Sequence, residues 1–154
     1  MLATPLAVGI LASSPRWVHL PLTAFWFLGY FAFFAAGLWL KAPPRRRVAL
    51  VGPLRTYAAA SAAMGALTLA LDPTLLRWAP LFVAPLAVGL VASARRDERS
   101  LWSGLATSIG SCLMVLAAYD AGGGTDWVRA WLLTGILAAY FAGTVLYVKT
   151  MIRE

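Results

Sequence analysis

The sequence has almost none of the residues that build disulfide bonds or metal sites. It contains one cysteine, Cys112, and one histidine, His19. A single cysteine cannot form a disulfide within the chain, and a single histidine excludes multi-histidine zinc and haem sites. We therefore expect no metal and no bound cofactor. His19 follows Trp17 closely, and we expect it to be a hydrogen-bonded interfacial residue rather than a ligand.

Charged residues are scarce as well, and this scarcity decides the class of protein. They make up 12% of the 154 residues, while 61% are hydrophobic; soluble domains average about 25% charged and about 45–50% apolar. Apolar runs approach the roughly 20 residues that cross a bilayer as a helix. We predict an all-α, polytopic transmembrane bundle of about six spans that forms a single domain over residues 1–154.

Charged or proline-containing breaks separate the apolar runs and define the predicted spans. Pro53 lies near the start of the third span, which we expect to begin in earnest after that residue. The predicted spans cover residues 2–13 (a short one), 17–40, 50–71, 76–94, 101–119 and 127–148.

Small and hydroxyl side chains recur at every fourth position in three of these spans. Ser61 with Gly65, and the stripe Gly135, Ala139 and Gly143, predict close helix packing, because small residues let helix backbones approach in lipid. Ser103, Thr107 and Ser111 share one face of the fifth span. Their hydroxyls either donate to backbone carbonyls and a neighbouring helix or line a cavity; the spacing allows both.

Basic residues predict the orientation of the bundle. The breaks after the second, fourth and sixth spans, together with Arg55, hold ten of the thirteen lysines and arginines. The opposite side holds Arg16, Arg77 and Arg129. Because basic residues accumulate in cytoplasmic loops, we predict both termini inside and a multi-pass location in a bacterial cytoplasmic (inner) membrane. The net charge of +7 then reflects these loops, and we expect no nucleic-acid partner.

Catalytic sets are missing from the apolar spans, so polar chemistry is expected at the cytoplasmic rim. We find no paired carboxylates within a span, no Ser-His-Asp set and no phosphate-binding glycine loop. Two interpretations of the basic rim remain: exposed loops that set topology, or a surface that grips a phosphate or diphosphate, with an acid orienting an arginine. The candidate ligand-binding residues are Arg95, Glu98, Arg99, Lys149 and Arg153.

Several blocks resemble a known family. Residues 143–154 (GTVLYVKTMIRE) resemble the hallmark block of the YwiC-like family of bacterial integral membrane proteins. Glu98-Arg99-Ser100-Leu101 is similar to its central cytoplasmic motif, and residues 17–20, 27–33 and 38–41 are similar to its second span. The resemblance implies a membrane protein without an assigned activity.

Two departures from the family pattern carry further expectations. The family has a Gln-His-Gly-Ala-Trp block before the first span and more apolar segments after the last, so the resemblance implies that this chain is a fragment. The family also has Asn-Asp shortly after Glu-Arg, where this sequence has Ser103-Gly104.

The functional prediction has two forms. The first is a non-enzymatic membrane component or transporter-like bundle, in contact with the lipid bilayer and able to pair with partner helices or a second copy. The alternative, from a resemblance to membrane prenyltransferases of the UbiA type, is an enzyme or binder of a phosphorylated isoprenoid at the cytoplasmic rim. In either form, anionic lipid headgroups are candidate partners of the basic loops.

Overall fold

A computed structural model of the protein describes residues 2–95 and 101–152. Within these ranges the regular structure is entirely helical, as the composition predicts. The helices are α1 (Ala3–Ala12), α2 (His19–Lys41), α3 (Pro44–Leu71), α4 (Ala79–Ala94), α5 (Leu101–Cys112), α6 (Met114–Ala121) and α7 (Trp127–Ile152), with a 3₁₀ segment (Pro73–Trp78) before α4.

Among the residues that the structure describes, four helical segments are long and apolar enough to cross a membrane. They are His19–Lys41, Pro73–Ala94, Leu101–Ala121 and Trp127–Met151. The predicted count of about six spans is therefore not confirmed. α1 is apolar, but its ten residues cover only about 15 Å as a helix, half of a hydrocarbon core of about 30 Å.

α3 is long enough, at 28 residues, but it is less apolar than these four segments. It carries Arg55 and a run of arginines at its start. It also begins earlier than predicted. Pro44 occupies its first turn, where a missing N–H costs little, and Pro53 lies inside the helix. The ring of Pro53 is exposed on the outer face, and the helix continues through it.

The fifth predicted span is a helix with a break. α5 and α6 are separated by Leu113, whose carbonyl accepts from the N–H of Leu116, an i→i+3 bond of 3.1 Å in place of the usual i→i+4 pattern. α6 is the most enclosed helix of the structure. Met114, Leu116 and Ala118 are at most 2% exposed, so the hydrophobic core forms around α6.

Helix packing follows the order α3, α2, α4, α5, α7, and α1 packs against α6. Since each helix returns across the bundle, two ends result. We call the first the glycine end (residues 13–18, 72–78 and 120–126). The second is the arginine end (residues 41–47, Arg95 and Lys149). This alternation brings the basic breaks after the second and fourth predicted spans to the same end, together with Lys149; which end faces the cytoplasm stays a prediction.

The two predicted small-residue faces have different outcomes. On α3, the Ser61 hydroxyl donates to the Phe25 carbonyl of α2 at 3.2 Å, and a Cβ added at Gly65 would meet the Phe25 ring at 3.0 Å. That face packs as predicted. On α7, a Cβ added at Gly135 or Gly143 would meet nothing within 4 Å. The α7 stripe therefore has no packing partner in the described part of the chain.

Candidate functional site

The predicted rim residues lie only partly within the described structure. Arg95 ends α4 and is exposed, with its N–H donating to the Val91 carbonyl at 2.9 Å. Lys149 lies half-buried in the last turn of α7. Helix direction brings both to the arginine end. Glu98, Arg99 and Arg153 lie outside the described residues, so their convergence stays a prediction.

A cavity lies in the other half of the bundle, lined by residues of five helices and the 3₁₀ segment. Its volume is about 490 Å³, and it extends from the glycine end to the middle of the helices. α2 forms its back wall, α3 one side, and α4 with α5 and α6 the other. The lining is mostly apolar and aromatic: Leu2, Leu22, Phe25, Trp26, Gly29, Tyr30, Phe33, Gly65, Thr68, Leu69, Leu75, Leu76, Trp78, Ala79, Phe82, Pro85, Leu86, Thr107, Gly110, Ser111, Met114 and Ala117.

Polar atoms of the lining are mostly occupied by the protein itself. Trp26 donates its indole N–H to the Leu2 carbonyl at 3.0 Å, and Thr68 donates to the Met64 carbonyl at 2.8 Å. Thr107 donates to the Ser103 carbonyl at 2.8 Å. Among the described residues, the cavity lining includes no charged side chain. The site therefore presents hydrocarbon and ring surfaces to whatever it holds.

The α5 hydroxyl face fulfils both interpretations offered by its spacing. Thr107 makes the backbone hydrogen bond of the first interpretation. Thr107 and Ser111 also line the cavity, as in the second. Ser103 is buried and lies outside the lining. The face thus contributes shape and a little polarity to the cavity.

Gly110 has no side chain, and α4 and α5 approach each other closely at this residue. A Cβ added at Gly110 of α5 would lie 2.7 Å from the Cβ of Pro85. α4 and α5 therefore meet in direct contact at the cavity wall, which includes both residues. α3 and α4, in contrast, are joined at the 3₁₀ segment and pack on α2 rather than broadly on one another. Leu69 of α3 and Leu86 of α4 line the cavity on the two sides of this gap.

A polar cluster closes the cavity at the glycine end. Asp120 at the end of α6 accepts the Trp78 indole N–H at 2.8 Å and pairs with Arg77. The Arg77 guanidinium lies over the rings of Trp78 and Trp127, 5.3 Å from each centroid. The Asp120 side chain is 10% exposed, and that of Arg77 is 53% exposed. The cluster joins the 3₁₀ segment to α6 and α7.

His19 fixes the start of α2 to α6, as the interfacial interpretation expects. Its Nδ1 lies 2.9 Å from the Arg16 N–H, and its Nε2 lies 2.9 Å from the Ala118 carbonyl. Nδ1 can accept from the Arg16 N–H while Nε2 donates to the Ala118 carbonyl. The side chain is buried, so His19 is a structural residue at this end.

The loop after α6 needs its glycines because other segments approach it closely. A Cβ at Gly122 would collide with the Ser13 side chain, and one at Gly124 with the Tyr119 ring. Gly123 has φ +73°, a backbone conformation that glycine adopts without strain. Arg16 lies against Gly123. The loop is therefore packed, although its composition predicts only a flexible turn.

Sequence reasoning placed the chemistry at the arginine end. It offered the α5 hydroxyl face as a cavity lining, but it identified neither the other walls of the cavity nor the Asp120 cluster. The residues of the cluster come from three separated segments, and Asp120 and Arg77 are 43 positions apart. A weak signal was present: Asp120 and Arg77 are opposite charges at the ends of spans on the same predicted side. In the part of the chain that the structure describes, no group of three or more metal-ligating side chains occurs.

Comparison with known proteins identifies relatives. The family model for YwiC-like proteins matches residues 1–119; the match ends within α6 and does not include the block at residues 143–154. A Haemophilus influenzae protein, described as an uncharacterized protein, is 27% identical over 161 residues. That alignment covers 100% of this chain and 64% of the relative, so the chain spans about two thirds of the relative's length. No solved structure matches the chain.

Proposed function

This chain belongs to the YwiC-like protein family, and on that premise we propose a function for its cavity. We propose that the protein is a non-enzymatic membrane component, a transporter-like bundle that holds the hydrocarbon chain of a lipid. The chain enters from the surrounding bilayer through the gap between α3 and α4. The membrane is the cytoplasmic membrane of a bacterium, with the arginine end inside.

The cavity is the observation that carries this proposal. Its volume of about 490 Å³ falls in the range of about 300–1,000 Å³ typical of small-molecule sites. Such sites fix orientation with a few polar groups, whereas the Trp26, Thr68 and Thr107 donors of this lining are already bonded to backbone carbonyls. An ion or sugar would lose its hydration shell here without replacement contacts. A hydrocarbon chain loses nothing and gains ring and aliphatic contacts.

Exposed residues of the lining support a ligand that arrives from lipid. Phe25, Tyr30 and Leu86 line the cavity and are each more than a third exposed. In a bilayer these exposed side chains face acyl chains, so the cavity interior and the hydrocarbon core are continuous. At the glycine end, the Asp120 cluster and α1 cover the cavity, so we expect no entry of the ligand from that end.

The alternative is a UbiA-like enzyme or binder of a phosphorylated isoprenoid at the cytoplasmic rim. It places the phosphate at Arg95 and Lys149, with Glu98, Arg99 and Arg153. The cavity, in contrast, extends from the glycine end, half a bundle away from that rim. An isoprenoid tail in the cavity would therefore need a long reach to the rim, and the hydrocarbon-chain proposal has the better support.

A matched pair of substitutions on α5 tests the proposal. Thr107 lines the cavity and Ile109 does not, while both are exposed on the same helix. Thr107→Phe should place a ring in the cavity and take up space that the ligand needs. We expect binding to be weaker by about tenfold, which corresponds to about 1.4 kcal/mol. Ile109→Phe should leave binding unchanged.

The measurement is saturable binding of a fluorescent long-chain fatty acid to the purified protein in detergent. Helix content and melting temperature of both variants serve as folding controls. If wild-type protein shows no saturable binding, or if both variants bind as the wild type does, the cavity is not a hydrocarbon-chain site.

Oligomerisation through the open α7 stripe is a separate prediction, which the same samples test by light scattering.

A further inference from the structure

Among the described residues, charge is distributed unevenly between the two ends of the bundle. The described acidic residues, Asp72, Asp120 and Asp126, all lie at the glycine end. Three basic residues, Arg16, Arg77 and Arg129, accompany them there. The described basic residues at or near the arginine end are Lys41, Arg45, Arg46, Arg47, Arg55, Arg95 and Lys149. In the sequence, acidic residues follow Arg95 and Lys149 closely, whereas the turn at residues 41–47 contains none.

The turn between α2 and α3 holds the densest part of this charge in a defined shape. Pro43 is extended and Pro44 begins α3. Arg47 is used internally: its Nε donates to the Ala42 carbonyl at 3.0 Å, and its guanidinium lies 5.0 Å from the centroid of the Trp39 ring. This contact ties the start of α3 to the end of α2. Arg45 and Arg46 remain exposed beside it.

The end of α2 places these two arginines at headgroup depth. α2 is long and apolar enough to cross a membrane and ends at Lys41, so Arg45 and Arg46 follow directly after it. α3 packs along α2, and its 28 residues extend about 42 Å as a helix, about 12 Å more than a hydrocarbon core of about 30 Å. The first turn contains no acidic residue, and the free N–H groups of a helix start add positive potential.

We propose that Arg45 and Arg46 form a binding surface for the phosphate groups of anionic phospholipids in the adjacent leaflet. The predicted orientation puts this surface on the cytoplasmic side, where anionic headgroups attract basic residues. Arg47 holds the turn and the other two arginines contact lipid. This surface lies at the opposite end from the cavity, so it works independently of the hydrocarbon chain bound there.

The test compares phosphatidylglycerol with phosphatidylcholine, two phospholipids that differ in headgroup charge. Full-length protein in detergent is given an equimolar mixture, and native mass spectrometry measures the ratio of the bound lipids. Each arginine near a membrane surface contributes about 1 kcal/mol, so Arg45→Gln with Arg46→Gln should reduce the phosphatidylglycerol preference by about 25-fold. The preference should also weaken as salt is raised.

Arg129→Gln is the matched control. Arg129 is likewise an exposed arginine in the first turn of a helix, but it lies at the glycine end beside Asp126. We expect it to bind both lipids as the wild type does. Equal binding of the two lipids by the wild type, or the same ratio in the double variant and in Arg129→Gln, would overturn the proposal. Thr107→Phe should not change this ratio, which separates a failure here from a failure of the cavity proposal.

Discussion

The packing of α1 against α6 depends on one missing side chain, and adding it is a sharp perturbation. A Cβ at Gly9 would lie 2.6 Å from the Val115 carbonyl oxygen and 2.7 Å from the Ala118 Cβ. Both atoms belong to fully buried residues of α6. Neither can rotate away, so α1 must move outward by several tenths of an ångström or more.

The net cost can be worked out from two opposing terms. Overpacking of a rigid contact costs about 3 kcal/mol at the upper end of its usual range, and replacing glycine by alanine within a helix returns about 1 kcal/mol. We expect Gly9→Ala to destabilise the protein by about 2 kcal/mol. For a chain of this size, that lowers the melting temperature by roughly 4–8 °C.

Gly135→Ala is the control because it makes the same chemical change in open space. Nothing lies within 4 Å of the added Cβ, so only the helix-propensity gain of about 1 kcal/mol remains. Thermal unfolding in one detergent, followed by circular dichroism, compares the two variants. If Gly9→Ala is as stable as Gly135→Ala, α1 does not pack on α6 as described.

Two further predictions concern the glycine end and the core. Asp120→Ala should lower the free energy of unfolding by about 2 kcal/mol. It removes a charge-assisted hydrogen bond from Trp78 and an ion pair with the half-exposed Arg77 that is worth at most about 1 kcal/mol. Asp72→Ala loses contacts within its own turn only, so it should lower stability by less than half as much in the same melting experiment. Cys112 is fully buried, so a maleimide should label it only after unfolding, and labelling of the folded protein at the unfolded rate would contradict the described core.

The helices and their charged ends were predictable because local composition determines them. An apolar run bounded by Pro43-Pro44 or by the charged residues after Ala94 forms a helix that ends there. The start of the third span was predicted wrongly, because Pro53 does not interrupt the helix. Pro53 lies within α3, because a proline on an exposed face removes one hydrogen bond without displacing a neighbouring helix.

The cavity was not predictable, because the sequence does not determine which face of each helix packs against its neighbours and which face lines a cavity. Phe33 and Thr107 line one cavity across 74 positions of sequence. Their approach depends on how α2 and α5 pack on α4, including the contact of Gly110 with Pro85. Spacing identified the α5 hydroxyl face as a candidate lining, and packing chose which of its members reach the cavity.

The sequence alone determined the class of the protein, the approximate positions of its helices and the segregation of basic residues to one set of helix ends. These follow from apolar content and charge, which act locally and over single helices. The tertiary structure decided where a ligand could be held and what closes the site. Those depend on contacts between distant segments, such as Asp120 with Trp78 and Gly9 with α6, where the fit of surfaces and not composition selects the arrangement.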